Sequence, residues 1–323
     1  MALGRRTVSQ QPLSDSGKVA VLRQLVEIGR EVIDRQAELV FPWMPPLKDP
    51  EFLARNVLLW SIMNRGARVE TVNKALEQLF AQLGPDLYIK PEILFSCFDE
   101  LSERLFSLGY RIRYVGIQVK SEETLLARFA SYSFFIQRLK DEANSLLRYL
   151  SSFNSPSECE EQMSKQHLLG TMTRKAIRLF LGFVGHPLLG KRLSIVNDGW
   201  PKWGSEMFLV PVDGHVGKVF ARTGLLAKVR AENDKVVAFE MDKAINALVK
   251  GFSKLIQDPF LINVGAYSIG QFCCKDEKPT CELKGCPSTN CPYTQSCPKN
   301  CPIENIGCKR HTHWWAMKAR KLE

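Results

Sequence analysis

An all-α fold is predicted by three features of this 323-residue sequence. Apolar residues recur at three- and four-residue spacings over most of its length, alternating runs are few, and Pro/Gly clusters cut the periodic stretches into short helices. Length places the chain near two domains. With 45% hydrophobic and 24% charged residues it has the composition of a chain that buries a core, which excludes disordered and collagen-like classes. No stretch approaches the roughly 18 unbroken apolar residues of a membrane span, and the first residues lack the apolar core of a secretion signal. A cytoplasmic monomer is expected.

Taken in order, residues 1–16, rich in Ser, Gln and Arg, are expected to form a disordered arm. Helical spacing starts with Val19, Leu22, Leu25 and Val26 and continues to Val32 and Ile33. Pro42, Pro45, Pro46 and Pro50 make residues 41–50 a connector, because proline cannot continue a helix. Residues 52–150 predict a bundle of short helices from Leu53, Val57, Trp60 and Ile62, then Val72, Leu76 and Leu79, then Leu101, Leu105 and Leu108, then Leu139 and Leu146. After a Ser/Asn/Pro break at 151–157, a helical pair is expected from Glu158 to Val184. Residues 185–208, with Pro187, Gly190, Gly199, Pro201 and Gly204, predict an inserted loop or small hairpin. Helical spacing returns over 213–256 and 259–272, ahead of a Cys-rich tail.

Charge and cysteine are both unevenly placed. Residues 170–230 carry ten Lys/Arg against three acids and so hold most of the +10 formal charge. Such a surface attracts phosphate backbones through counterion release, with a merely solvated basic face as the alternative. Eight of the ten Cys lie between Cys273 and Cys308. An intracellular chain would use that density for a metal rather than for a disulfide framework.

Three separated stretches carry a more specific pattern. Residues 168–181 read Leu-Leu-Gly-Thr-Met-Thr-Arg-Lys-Ala-Ile-Arg-Leu-Phe-Leu, a Gly/Thr turn ahead of a basic helix. Residues 209–216 read Leu-Val-Pro-Val-Asp-Gly-His-Val, with Arg222 and Gly224 following. From Phe260 an apolar helix runs into Cys274-Lys-Asp-Glu-Lys-Pro-Thr-Cys281. Together, over about residues 52–297, they resemble the helix-hairpin-helix superfamily of base-excision DNA glycosylases. The likeness is greatest to its endonuclease III-like, iron-sulfur branch, with features also of 8-oxoguanine DNA glycosylase/lyases.

The resemblance implies roles residue by residue. Gly170, Thr171 and Thr173 would form the hairpin turn that offers backbone N–H groups to a DNA phosphate, with Arg174 beside it. One glycine and two threonines stand where the family usually has two glycines. Lys175 falls on the position of the nucleophile and Asp213 on that of the catalytic carboxylate, with His215 at a DNA-binding position. Read without the family, an Asp at a helix start is an N-cap. Base excision needs a nucleophile at the sugar C1′ and a carboxylate to orient it and to stabilise positive charge developing on the sugar. A Lys nucleophile implies a Schiff base and strand cleavage by β-elimination, the mark of a bifunctional enzyme. Asp213 follows Lys175 by 38 positions, a longer interval than endonuclease III relatives show.

Residues 58–75 bear a weaker likeness to the family's segment beside the flipped-out nucleotide. There Asn64, Arg65 and Arg68 would fill the gap left in the duplex; an ordinary helix-loop-helix is the other reading. Trp200 and Trp203 are candidate base-stacking groups. Cys274, Cys281, Cys291 and Cys297 are implied as ligands of a [4Fe-4S] cluster, with Cys286 as the alternative to Cys291. Spacing alone fits zinc equally well.

The fold so implied is two-lobed, with a Cys-rich metal-cluster loop. Its parts are an arm at 1–16, a helical lobe from 17–50 and 209–273, a central helical lobe at 52–181 including the hairpin, an inserted loop at 182–208, and the cluster loop and basic tail at 274–323. The implied partner is duplex DNA containing a damaged base, flipped out because C1′ is unreachable inside a stacked helix. A monofunctional glycosylase, or a non-catalytic metal-stabilised DNA-binding protein of the same fold, is the alternative. The Lys175/Asp213 pair discriminates, since binding alone requires neither.

Overall fold

The computed structural model describes residues 6–9, 13–35, 37, 40–64, 66–114, 117–142, 145–165, 174–196, 202–226, 228–232, 235–236 and 238–273. Strand β1 (Arg6–Ser9) and helix α1 (Asp15–Arg35) open the chain. Helices α2 (Pro50–Met63), α3 (Val69–Leu83), α4 (Asp86–Ile89), α5 (Ile93–Ser96) and α6 (Phe98–Ser107) lead to a hairpin of β2 (Ile112–Tyr114) and β3 (Ile117–Val119). Next come α7 (Glu122–Glu142), α8 (Leu146–Ser151), α9 (Pro156–Lys165), α10 (Arg174–Gly185) and α11 (Pro187–Arg192). The last described part holds α12 (Gly214–Arg222), β4 (Lys228–Glu232), β5 (Lys235–Val236), α13 (Ala238–Gly251) and α14 (Pro259–Ser268), which runs on as a π-turn, Ile269–Cys273. The chain is mostly helical, and it divides into two units, residues 1–37 with 209–323 and residues 38–208.

In the first unit α1 packs along α14. Val21, Leu22, Leu25, Ile28, Val32 and Ile33 recur at helical spacing on α1 and are all buried. Ser14 starts the helix, its Oγ accepting the Gly17 N–H at 3.2 Å. On α14, Asp258 Oδ1 accepts the Leu261 N–H at 3.1 Å, and Pro259 occupies the first turn, where its missing N–H costs nothing. The two backbones approach closely. A Cβ on Gly265 would lie 2.1 Å from Leu25 O, and one on Gly29 2.2 Å from Leu261 O, so only glycine fits at either crossing point. Two expectations are corrected in this unit. Part of the 1–16 arm is strand β1, which pairs antiparallel with β4 in a sheet of order β1–β4–β5. The helical stretch over 213–256 is broken after α12 by β4 and β5. Strands of two to five residues are too short for a period-two pattern to register.

In the second unit α2 is the central helix, buried from Leu53 to Met63 and in contact with α3, α7, α8 and α10. Polar side chains buried in it tie down its surroundings. Asn56 Nδ2 donates to Trp43 O at 2.7 Å, and Asn73 of α3 accepts from Trp43 N and Trp60 Nε1 while donating to Phe41 O. These bonds hold the 41–50 connector to this unit, a correction to its assignment with the terminal segments. Glu51 accepts the Leu146 and Leu147 N–H groups and the Ser145 hydroxyl, and so caps α8 from outside.

The 182–208 segment, expected as an inserted loop or small hairpin, is partly helical among its described residues. α10 runs through Gly185, α11 follows at once, and a 3₁₀ turn spans Ser205–Met207. Trp203 and Phe208 are buried against each other, with ring centroids 6.2 Å apart. The β2–β3 hairpin is a further departure from an all-helical bundle.

Candidate functional site

Lys175 and Asp213, the expected catalytic pair, lie in different units, Lys175 in 38–208 and Asp213 in 209–323. Gly170, Thr171 and Thr173 of the hairpin turn fall outside the described residues, as do Arg65, Trp200 and the cysteines from Cys274 onward.

α10 begins with Arg174 and Lys175 and has no acidic residue in its first turn. Arg174 is exposed and Lys175 half-exposed, whereas the helix from Ala176 to Gly185 is buried. Two cations at the positive end of the helix dipole are unfavourable alone, and an anion placed there would offset them. Behind this turn lies an ion pair that sequence patterning did not reveal. Arg178, 5% exposed, donates from Nε to Glu160 Oε2 of α9 at 2.8 Å, and Glu160 is itself only 4% exposed. Arg174 Nε stands 4.0 Å from the other carboxylate oxygen. Glu160 thus joins α9 to the first two turns of α10. Its neutralisation would remove the buried counter-charge 2.8 Å from the Arg178 guanidinium, and breaking a buried pair from one side costs about 3–5 kcal/mol. Glu160→Gln is therefore expected to lower the urea midpoint strongly, and Glu160→Gln with Arg178→Met to recover most of the loss; equal midpoints for Glu160→Gln and wild type would contradict the assignment.

Asp213 is the N-cap of α12. Its Oδ1 accepts the His215 and Val216 N–H groups, both at 2.9 Å, and its carbonyl accepts the first intrahelical bond from Gly217 at 2.8 Å. The cap leaves the carboxylate half-exposed rather than buried. Val216, Val219 and Phe220 anchor the other face of α12 in the core. His215 bonds to Gly270 and its ring meets Tyr267 edge-on at 5.4 Å.

Asn64 and Arg68 bracket the turn between α2 and α3. Asn64 closes α2 through its N–H to Trp60 O, and Arg68 precedes α3 with its side chain exposed. The end of α2 is fixed from below. Met63 O accepts from both Tyr110 Oη at 2.8 Å and Arg128 Nη1 at 2.7 Å, and both donors are buried. A buried cation at the negative end of a helix is favourably placed. The sequence signal for Arg128 was a lone charge on the apolar face of α7.

Trp203, expected as a base-stacking group, is corrected to a core residue. It is 2% exposed, and its Nε1–H donates to Phe153 O at 3.0 Å. Its indole fills space between elements of its own unit, so neither face is available to a base.

Among the described residues no group of three or more His, Cys, Asp or Glu is placed to hold a metal. Cys97 and Cys159 are free thiols. Burial, then the charges of Glu158 and Glu160, pushes the Cys159 thiol up, which disfavours its thiolate. No described helix is long and apolar enough to cross a membrane. No family model matches the chain, and neither a curated protein nor a solved structure matches it.

Proposed function

We propose that this protein is a bifunctional DNA glycosylase and AP lyase that removes an oxidised or otherwise damaged base from duplex DNA. The carrying observation is the residue pair: an amine in the exposed first turn of a helix lacking N-terminal acids, and a carboxylate half-exposed at the start of α12. Arg174 beside Lys175 supplies charge for a phosphate, and the turn bearing Asn64 and Arg68 supplies groups for the duplex. In the reaction the Lys175 amine forms a bond to C1′ as the glycosidic bond breaks and the base departs with a proton. The C1′–O4′ bond then breaks, O4′ taking a proton as the C1′–N bond becomes an imine, and loss of a C2′ proton expels the 3′ phosphate by β-elimination. Asp213 stabilises the positive charge that develops on the sugar.

Single-lesion duplexes carrying 8-oxoguanine, an oxidised pyrimidine or an abasic site, incubated with borohydride, test this directly. Reduction of the imine leaves a covalent protein–DNA adduct. Base release without an adduct would make the enzyme monofunctional, and binding without either would leave a non-catalytic DNA-binding protein.

The thiolates of Cys274, Cys281 and Cys297, with Cys291 in preference to Cys286, would hold a [4Fe-4S] cluster. Its role is structural, since neither base displacement nor β-elimination moves an electron. Anaerobically prepared protein is expected to be brown, with absorbance near 400 nm and about four irons per chain. Stoichiometric zinc without iron would replace the cluster by a zinc site.

A further inference from the structure

The segment that delivers Asp213 to α12 belongs to no helix or strand, yet its backbone is bonded on both sides of the carboxylate. Upstream, Asn246 of α13 pairs with both polar groups of Val210: its Oδ1 accepts the Val210 N–H at 2.8 Å and its Nδ2 donates to Val210 O at 3.2 Å. The next residue, Pro211, has no N–H to offer, and its carbonyl accepts from Asn263 Nδ2 of α14 at 2.5 Å. Asn263 is 4% exposed, and Val210 and Val212 are buried. A buried amide of this kind costs free energy unless paired, so its position is dictated by the bond it makes.

Downstream, His215 Nδ1–H donates to Gly270 O at 3.0 Å. The carbonyl can only accept, so Nδ1 carries a proton and is committed to this bond. A Cβ on Gly270 would stand 2.6 Å from His215 O, so this close approach requires glycine. Two helices and the π-turn after α14 thus hold residues 210, 211 and 215 around Asp213.

We infer that Asn246, Asn263 and His215 are positioning residues that aim the Asp213 carboxylate, His215 acting through its bond to Gly270. This rests on the glycosylase reading, because it presupposes a reacting carboxylate at Asp213. A misplacement of about 1 Å at a reacting group costs up to about 10²-fold in rate. Preorganisation of this kind affects the chemical step more than binding.

The test uses the full-length protein and whichever of the 8-oxoguanine, oxidised-pyrimidine and abasic duplexes the wild type processes, with single-turnover rate and duplex Kd measured separately. Asn246→Ala, Asn263→Ala and His215→Ala are each expected to slow the reaction about 10- to 100-fold with Kd within about twofold. His215→Asn should recover most of the rate, since its Nδ2–H reaches the place of Nδ1–H. Val219→Ala, which opens a cavity on the buried side of α12 without touching these bonds, serves as the control: it should lower Tm and leave the rate within about twofold. Loss of Tm without loss of rate in the two Asn variants would overturn the inference, as would a His215→Asn variant no faster than His215→Ala. A wild type inert on every duplex overturns the glycosylase reading and the inference with it, whereas an active wild type with unaffected variants overturns the inference alone. Should Asn263→Ala fail to fold, the His215 pair decides the matter.

Discussion

Lys175→Ala is expected to abolish borohydride trapping and strand cleavage while leaving duplex affinity within about threefold. Lys175 is half-exposed in the first turn of α10, and alanine is the best helix former, so stability should move by no more than about 0.5 kcal/mol. Removing a cation from the positive end of the helix even relieves a small electrostatic penalty. Arg174 stays exposed beside the site to meet a phosphate, and the buried Glu160–Arg178 pair stays intact to hold the turn in place. The loss would therefore be chemical, the nucleophile itself, rather than binding or folding. Gel mobility of the borohydride-treated mixture reads the outcome. A variant that still crosslinks would move the nucleophile to another amine. Lys191 and Lys202 are exposed, and Lys165, also exposed, is ion-paired to Glu161 at 2.8 Å.

Asp213→Asn should cut base release by about two to three orders of magnitude, the scale seen when one electrostatic stabiliser of a transition state is lost. The substitution separates two jobs that one carboxylate performs. Asparagine caps helices as well as aspartate does, and its amide oxygen can accept the same His215 and Val216 N–H groups. Folding of α12 should thus survive with Tm nearly unchanged. What disappears is the negative charge that stabilises a cationic sugar and the capacity to take a proton. Asp213→Ala is the complement: it loses the cap as well, for about a further 1 kcal/mol of stability. Unchanged single-turnover rates in Asp213→Asn would reduce the residue to a helix cap and leave the non-catalytic DNA-binding reading in its place.

Much of the secondary structure was legible in advance because helices announce themselves by periodicity. Leu22, Leu25, Val32 and Ile33 marked α1 by their helical spacing, with Val21 and Ile28 buried beside them in place of the expected Val19 and Val26, and the spacing of Leu53, Val57 and Trp60 marked α2 in the same way. Strands of two to five residues gave no comparable signal. Trp203 misled because Gly and Pro on either side suggested a loop, while its burial depends on Phe153 and Phe208, which its local sequence does not reveal.

Local sequence carries the helical character of much of the chain, and it places a Lys and an Asp in stretches that resemble those of base-excision glycosylases. Tertiary structure alone decided what surrounds them. Glu160 meets Arg178 from another helix, Asn56 and Asn73 pin the 41–50 connector, Asn246 and Asn263 hold the approach to Asp213, and Arg128 closes the end of α2. Each of these is a buried or half-buried polar group whose partner lies between 13 and 65 residues away along the chain. Periodicity reports whether a position faces the core, but the cost of burying an unpaired polar group is set by whichever donor or acceptor the fold brings to it.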